Sequence, residues 1–133
     1  MTHITQTRED TQTLGMQLAA TLKRGDVVLM TGDMGAGKSE FSRGVARGLG
    51  ITCAVPSPSF TILNVYEEGR IPLFHFDWYR IGDESELTDM GLDEYVGGDG
   101  VALIEWHERA PYLLPETVKL LLALHIVRRL GKK

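Results

Sequence analysis

A three-layer α/β fold, with a mainly parallel central sheet and a few antiparallel strands added to it, is what this sequence predicts. Three observations carry the prediction. The first is the stretch Gly32-Asp33-Met34-Gly35-Ala36-Gly37-Lys38-Ser39, which fits G-x-x-x-x-G-K-[ST] and lies between a strand-like run and an amphipathic helix. The second is Val101-Ala102-Leu103-Ile104-Glu105-Trp106, an apolar run that meets a carboxylate near its end. The third is a pair of strand-like runs, Phe60 to Tyr66 and Ile71 to Asp77, joined by Glu67-Glu68-Gly69-Arg70 at hairpin spacing.

Bulk properties bound the answer. A chain of 133 residues is expected to form one domain over residues 1–133, and to bury roughly two-thirds of its unfolded surface. Its 43% hydrophobic and 24% charged content argues against disorder. No apolar run approaches the ~18 residues of a membrane span, and the first residues lack the basic and apolar regions of a signal peptide. Cys53 is the sole cysteine, so no intrachain disulfide can form and a cytoplasmic location is expected. With 18 acidic against 14 basic side chains, the net charge of −4 argues against strong direct binding of nucleic acid. Arg128, Arg129, Lys132 and Lys133 cluster at the C-terminus, as a solvated tail commonly does.

In chain order, residues 7 to 23 read as an amphipathic helix, with Thr7 and Asp10 resembling a capping box. Leu14, Leu18 and Leu22 form its apolar stripe and Gly25 ends it. By pattern alone Thr11 is a polar surface position and Gly15 a point of close packing. Val27 to Met30 is the first buried strand. After the glycine loop, Phe41, Val45 and Leu49 recur at i, i+4 and i+8 with Ala46 beside them, and Gly50 is the C-cap candidate. Pro56-Ser57-Pro58 forbids helix in the next stretch. In the second hairpin run, alternation turns His75 and Asp77 to one side and Phe74, Phe76 and Trp78 to the other. That polar pair reads equally as the outer face of a half-solvated strand or as part of a site. Asp83 to Asp89 predicts a short helix with Asp83 as N-cap, Gly91 to Tyr95 a further turn, and Gly97 to Gly100 a tight turn. Beyond Pro111 and Pro115, Val118 to Val127 favours strand over helix.

The glycine loop is where chemistry enters. Its backbone N–H groups can curl around a polyphosphate, helped by the positive end of the following helix. Lys38 would reach the β- and γ-phosphates and the Ser39 hydroxyl would hold Mg²⁺. A carboxylate ending a buried strand, here Glu105, serves such enzymes as a holder of Mg²⁺ or of its water. A GTPase needs an Asn-Lys-x-Asp element, and Asn64, the sole asparagine, is followed by valine. A small-molecule kinase remains as an alternative, although residues 60 to 100 leave little room for an acceptor pocket and lid. A small ATPase that acts on partner proteins fits the size best.

The combination of Gly32 to Ser39, Ser57-Pro58-Ser59-Phe60-Thr61, His75-Phe76-Asp77-Trp78-Tyr79-Arg80, Ile104-Glu105-Trp106 and Glu108-Arg109-Ala110 closely resembles the bacterial TsaE family. That family supplies the ATPase of the tRNA threonylcarbamoyladenosine modification machinery, and the resemblance runs from about Thr7 to Pro115. It implies a protein that binds MgATP, hydrolyses it slowly alone, and acts with TsaB and TsaD, which hold the tRNA. By position, Gly35, Ala36, Gly37, Lys38, Ser39 and Glu40 would surround the phosphates, and Ser39 and Glu105 would hold Mg²⁺. Asp77 would lie near the γ-phosphate. Ser59 to Thr61 and His75 to Arg80 would be nucleotide-sensing segments. Thr11 would lie by the base or sugar and Trp106 near the nucleotide. Glu40 stands where the family often has threonine or serine, and its charge predicts somewhat weaker phosphate affinity than a neutral residue gives.

Overall fold

The computed structural model describes residues 7–31, 38–58, 60–114 and 120–123. Five strands form one sheet in the order β2-β3-β4-β1-β5, where β1 is Val27–Thr31, β2 Leu63–Tyr66, β3 Leu73–Asp77, β4 Val101–Glu105 and β5 Leu120–Ala123. β3, β4, β1 and β5 run parallel; β2 pairs antiparallel with β3 as the outer arm of the expected hairpin. Within the final apolar run, Leu120–Ala123 is thus a strand, as the composition suggested. Its neighbours, residues 115–119 and 124–133, lie outside the described residues.

Alternation along the three central strands sorts their side chains to two faces. Val28, Met30, Leu73, Val101 and Leu103 pack with Ala19 and Leu22 of the N-terminal segment and with Phe41, Val45, Ala46 and Leu49. This is the layer of α1, Arg8–Ala19, and α2, Lys38–Gly48. Val27, Leu29, Phe74, Phe76, Ala102 and Ile104 face the other way, against Trp78, Ile81, Leu87 and Ala110. The second face is covered by the short α3, Ser85–Asp89, and by 3₁₀ turns at Leu92–Tyr95, His107–Arg109 and Pro111–Leu113. The expected three layers are present, with one helical layer far slighter than the other.

Thr7 caps α1, its hydroxyl accepting from the Asp10 N–H at 3.0 Å. The helix ends at Ala19, short of the expected residue 23. There the Thr21 and Leu22 N–H groups bond back three residues to Leu18 and Ala19, tightening the last turn. The Arg70 guanidinium, delivered by the hairpin, takes the Ala19 and Leu22 carbonyls at 2.6 and 3.2 Å. Leu22 is buried as expected, whereas Leu14 and Leu18 are only partly so. The most buried line on α1 instead runs through Thr11, Gly15 and Ala19, because small side chains let α1 approach α2. Thr11, read from pattern as a surface position, is 4% exposed.

α2 ends as a Schellman motif: Ile51 N–H bonds to the Ala46 carbonyl at 2.9 Å, Gly50 N–H to that of Arg47 at 3.0 Å, and Gly50 takes φ +92°. The first hairpin strand is shorter than the pattern indicated. Ile62 has φ +69°, a left-handed conformation that cannot join a ladder, so β2 starts one residue later. In α3 the cap also shifts. Glu84 holds the N-cap position, and Asp83 instead accepts from the Ser85 N–H at 3.2 Å and from the Ser85 hydroxyl. Those bonds hold the Asp83 carboxyl below its usual range.

Candidate functional site

The parallel register decides what meets at the C-terminal ends of the strands. Glu105 is flanked by Asp77 on β3 and Met30 on β1. On β3, His75 and Asp77 continue the face that Leu73 begins; on β4, Glu105 continues that of Val101 and Leu103. All three polar side chains therefore point into the layer of α1 and α2. None is half-solvated: His75 is 1%, Asp77 5% and Glu105 6% exposed. Of the two readings of the His75–Asp77 pair, burial removes the solvated one.

Lys38 is the first residue of α2 and is buried. Its ammonium lies 3.8 Å from Glu105 Oε1 and 5.1 Å from the centre of the Trp106 ring. Glu105 Oε2 is 3.1 Å from His75 Nε2. A carboxylate can only accept, so Nε2 is the donor, and the second ring nitrogen, Nδ1, has no hydrogen-bond partner among the described residues. A buried ion pair of this kind adds little to stability, since desolvation of both charges offsets most of their attraction. Its presence at the start of a helix, where backbone N–H groups and the helix dipole favour an anion, points to chemistry as its reason.

Around this centre the chain is held in uncommon backbone conformations. Trp106, directly after Glu105, has φ +59°, and Ile62 at +69° accepts the Asp77 N–H on its carbonyl at 2.9 Å. A non-glycine residue in this region costs on the order of 1–3 kcal/mol and persists only where its surroundings impose it. The left-handed turn places the Trp106 ring 4.8 Å from that of Tyr79, and the Arg109 guanidinium sits 5.3 Å over Tyr79. Asp77 Oδ1 accepts the Tyr79 N–H at 2.9 Å, and the Trp78 N–H bonds to the Glu105 carbonyl at 3.1 Å. Phe60 and the segment 75–80 also touch, the Arg80 guanidinium lying 4.5 Å over the 82% exposed Phe60 ring.

The fold therefore gathers Lys38, Glu105 and Trp106 into one cluster and puts Asp77 on the strand position beside Glu105. Ser39 and Glu40 follow Lys38 in the first turn of α2, half-buried. The Glu40 carboxylate is held at both oxygens, by Gln12 Nε2 and by Arg43 Nη1, each at 2.8 Å. Thr11 stands on α1, with its hydroxyl 3.2 Å from the Thr7 carbonyl it donates to. Gly35, Ala36 and Gly37, together with Gly32 and Ser59, lie outside the described residues. His75, one of the polar pair that alternation singled out, reaches Glu105 on the neighbouring strand. One participant escaped the pattern reading. Gln12 reaches Glu40 from another helix and left no signal at all.

In its donor set the cluster suits a magnesium-bound polyphosphate: an ammonium and a helix N-terminus for the anion, a hydroxyl and a carboxylate for a hard cation.

A family model described as threonylcarbamoyl adenosine biosynthesis protein TsaE matches residues 5–130. The tRNA threonylcarbamoyladenosine biosynthesis protein TsaE of Bacillus subtilis is 50% identical over 108 residues, 81% of this chain and 67% of its own length. The protein of the same name from Treponema pallidum is 42% identical over 113 residues, covering 85% of this chain and 83% of its own. The crystal structure of Bacillus subtilis YdiB superimposes with a TM-score of 0.75 at 40% identity, over 90% of this chain and 73% of that one.

Proposed function

This chain belongs to the TsaE family of threonylcarbamoyl adenosine biosynthesis proteins, and from that premise we propose that it is a MgATP-binding, slowly hydrolysing ATPase that supports threonylcarbamoyladenosine modification of tRNA by acting on TsaB and TsaD in the cytoplasm. The observation that carries the ATP part of the reading is the buried Lys38 ammonium at the head of α2, 3.8 Å from a strand-end carboxylate.

Backbone N–H groups of Gly35 to Glu40 would cradle the phosphates, and Lys38 would neutralise charge on the β and γ groups. Glu105 keeps the Lys38 ammonium inside the site before an anion arrives. Mg²⁺, when bound, would supply positive charge against the charge that develops on phosphoryl transfer. The Ser39 hydroxyl and the Glu105 carboxylate would hold Mg²⁺, directly or through water, with the His75 N–H orienting the carboxylate. Asp77 orients the attacking water. Thr11 lies by the base or sugar and Trp106 near the nucleotide. Through the Arg80–Phe60 contact the two sensing segments, 59–61 and 75–80, move together. A nucleotide-dependent shape is thereby offered to the partner proteins, which carry the tRNA; the acidic chain itself contributes no strong hold on nucleic acid.

Two measurements test this. Calorimetric titration with MgATP should show binding that Lys38→Ala abolishes in a folded protein. Phosphate release from γ-labelled ATP should accelerate when TsaB and TsaD are added. Transfer of the label to a small acceptor instead would favour a kinase, and unaltered binding by Lys38→Ala would refute the reading.

A further inference from the structure

We infer that Gln12 of α1 sets the phosphate affinity of this site by holding the Glu40 carboxylate away from the anion, an inference that rests on the proposed binding of MgATP. Glu40 is the third residue of α2. Helical side chains lean toward the N-terminus of their own helix, so a free carboxylate here projects toward the place where an anion would lie. A negative group within the first turn opposes anion binding. In this structure both carboxylate oxygens are taken: Gln12 Nε2 donates to Oε1 and Arg43 Nη1 to Oε2, each at 2.8 Å.

The two donors differ in kind. Arg43 lies three residues along the same helix and its side chain is 38% exposed, so its ion pair is partly screened by solvent. Gln12 is 28 residues away in sequence and comes from a helix locked against α2. A Cβ on Gly44 would lie 2.1 Å from the Gln12 carbonyl oxygen, and one on Gly15 would lie 2.5 Å from that of Phe41. At such an approach the two helix backbones are in direct contact, which sets the Gln12 backbone beside the first turns of α2 and its amide within reach of Glu40. The charge in the first turn is thus managed from outside the helix that carries it.

The test is titration of MgATP by calorimetry into the parent protein, Gln12→Ala, Arg43→Ala, and each of these combined with Glu40→Gln. At ordinary salt, loosening a carboxylate in the first turn of the helix should weaken binding about threefold to tenfold. Adding Glu40→Gln should return the affinity to at least that of the parent, since no charge is left to restrain. If Gln12→Ala binds as the parent does while Lys38→Ala still loses binding, the inference is overturned and the ATP reading stands. If Gln12→Ala weakens binding and Glu40→Gln does not restore it, Gln12 acts through helix packing alone and the inference is again overturned. Should Gln12→Ala fail to fold, Gln12→Met, which keeps the length of the side chain and removes the amide donor, carries the same comparison. If the parent does not bind MgATP, the proposed function fails and this inference with it.

Discussion

Replacing Gly44 by alanine sets two local effects against each other, and the geometry says which wins. On helix propensity alone the change is favourable by about 0.8–1 kcal/mol. Yet the added methyl would stand 2.1 Å from the Gln12 carbonyl oxygen and 2.7 Å from its carbonyl carbon, both of them backbone atoms that no rotamer change can move. Relief requires α1 to move off α2 by about 1 Å, which opens the contacts of Ala19, Leu22, Phe41 and Val45 in the helix-facing core. Overpacking of this kind costs typically 1–3 kcal/mol, with backbone clashes at the upper end. The net loss is therefore about 1–2 kcal/mol, and at roughly 4 °C per kcal/mol for a domain of this size the melting temperature should fall by about 4–8 °C. Thermal unfolding followed by circular dichroism reads this directly. Gln17→Ala, at an exposed position of the same helix pair, should stay within about 0.5 kcal/mol of the parent and serves as the control. A Gly44→Ala protein that melts at or above the parent would refute the claim that α1 and α2 meet backbone to backbone.

Three further outcomes are expected. Asp77→Ala should leave calorimetric ATP binding largely intact and abolish phosphate release; normal turnover would remove Asp77 from the mechanism. His75→Phe deprives the buried Glu105 carboxylate of its donor, a bond to a charged group worth about 1.5–3 kcal/mol. Urea unfolding should record that loss, and His75→Gln, which keeps an N–H donor, should recover part of it. Glu68 is held below its ordinary value, first by the Cys53 N–H and then by the Thr52 N–H. Its folded pKa lies below its unfolded one, so its contribution is complete above the unfolded value of 4.5 and is lost as pH falls through the folded value. Amide exchange at Thr52 and Cys53, corrected for the intrinsic pH dependence, should lose protection on acidification below that range. In Glu68→Gln that pH dependence should be flat, and an unchanged acid profile would show that the clip does not matter.

The sequence by itself determined the local elements and named the candidate chemistry-bearing positions. Strand runs such as Val27–Thr31 and Val101–Glu105, the phosphate-loop signature ending at Lys38-Ser39, the hairpin, and the Gly50 cap all follow from periodicity, steric preference and motif spacing, which neighbouring residues carry among themselves. Only the tertiary structure decided which of these meet. That β4 lies between β3 and β1 is a matter of sheet order, and it alone brings Glu105 within 3.8 Å of Lys38 and 3.1 Å of His75, a residue 30 positions away. Thr11 looked like surface because an amphipathic pattern counts apolar side chains. It is buried because a helix contact built on glycine selects small residues instead. Gln12 and Glu40 carry no pattern linking them, since a hydrogen bond between two helices depends on their separation and rotation, and no run of residues encodes either.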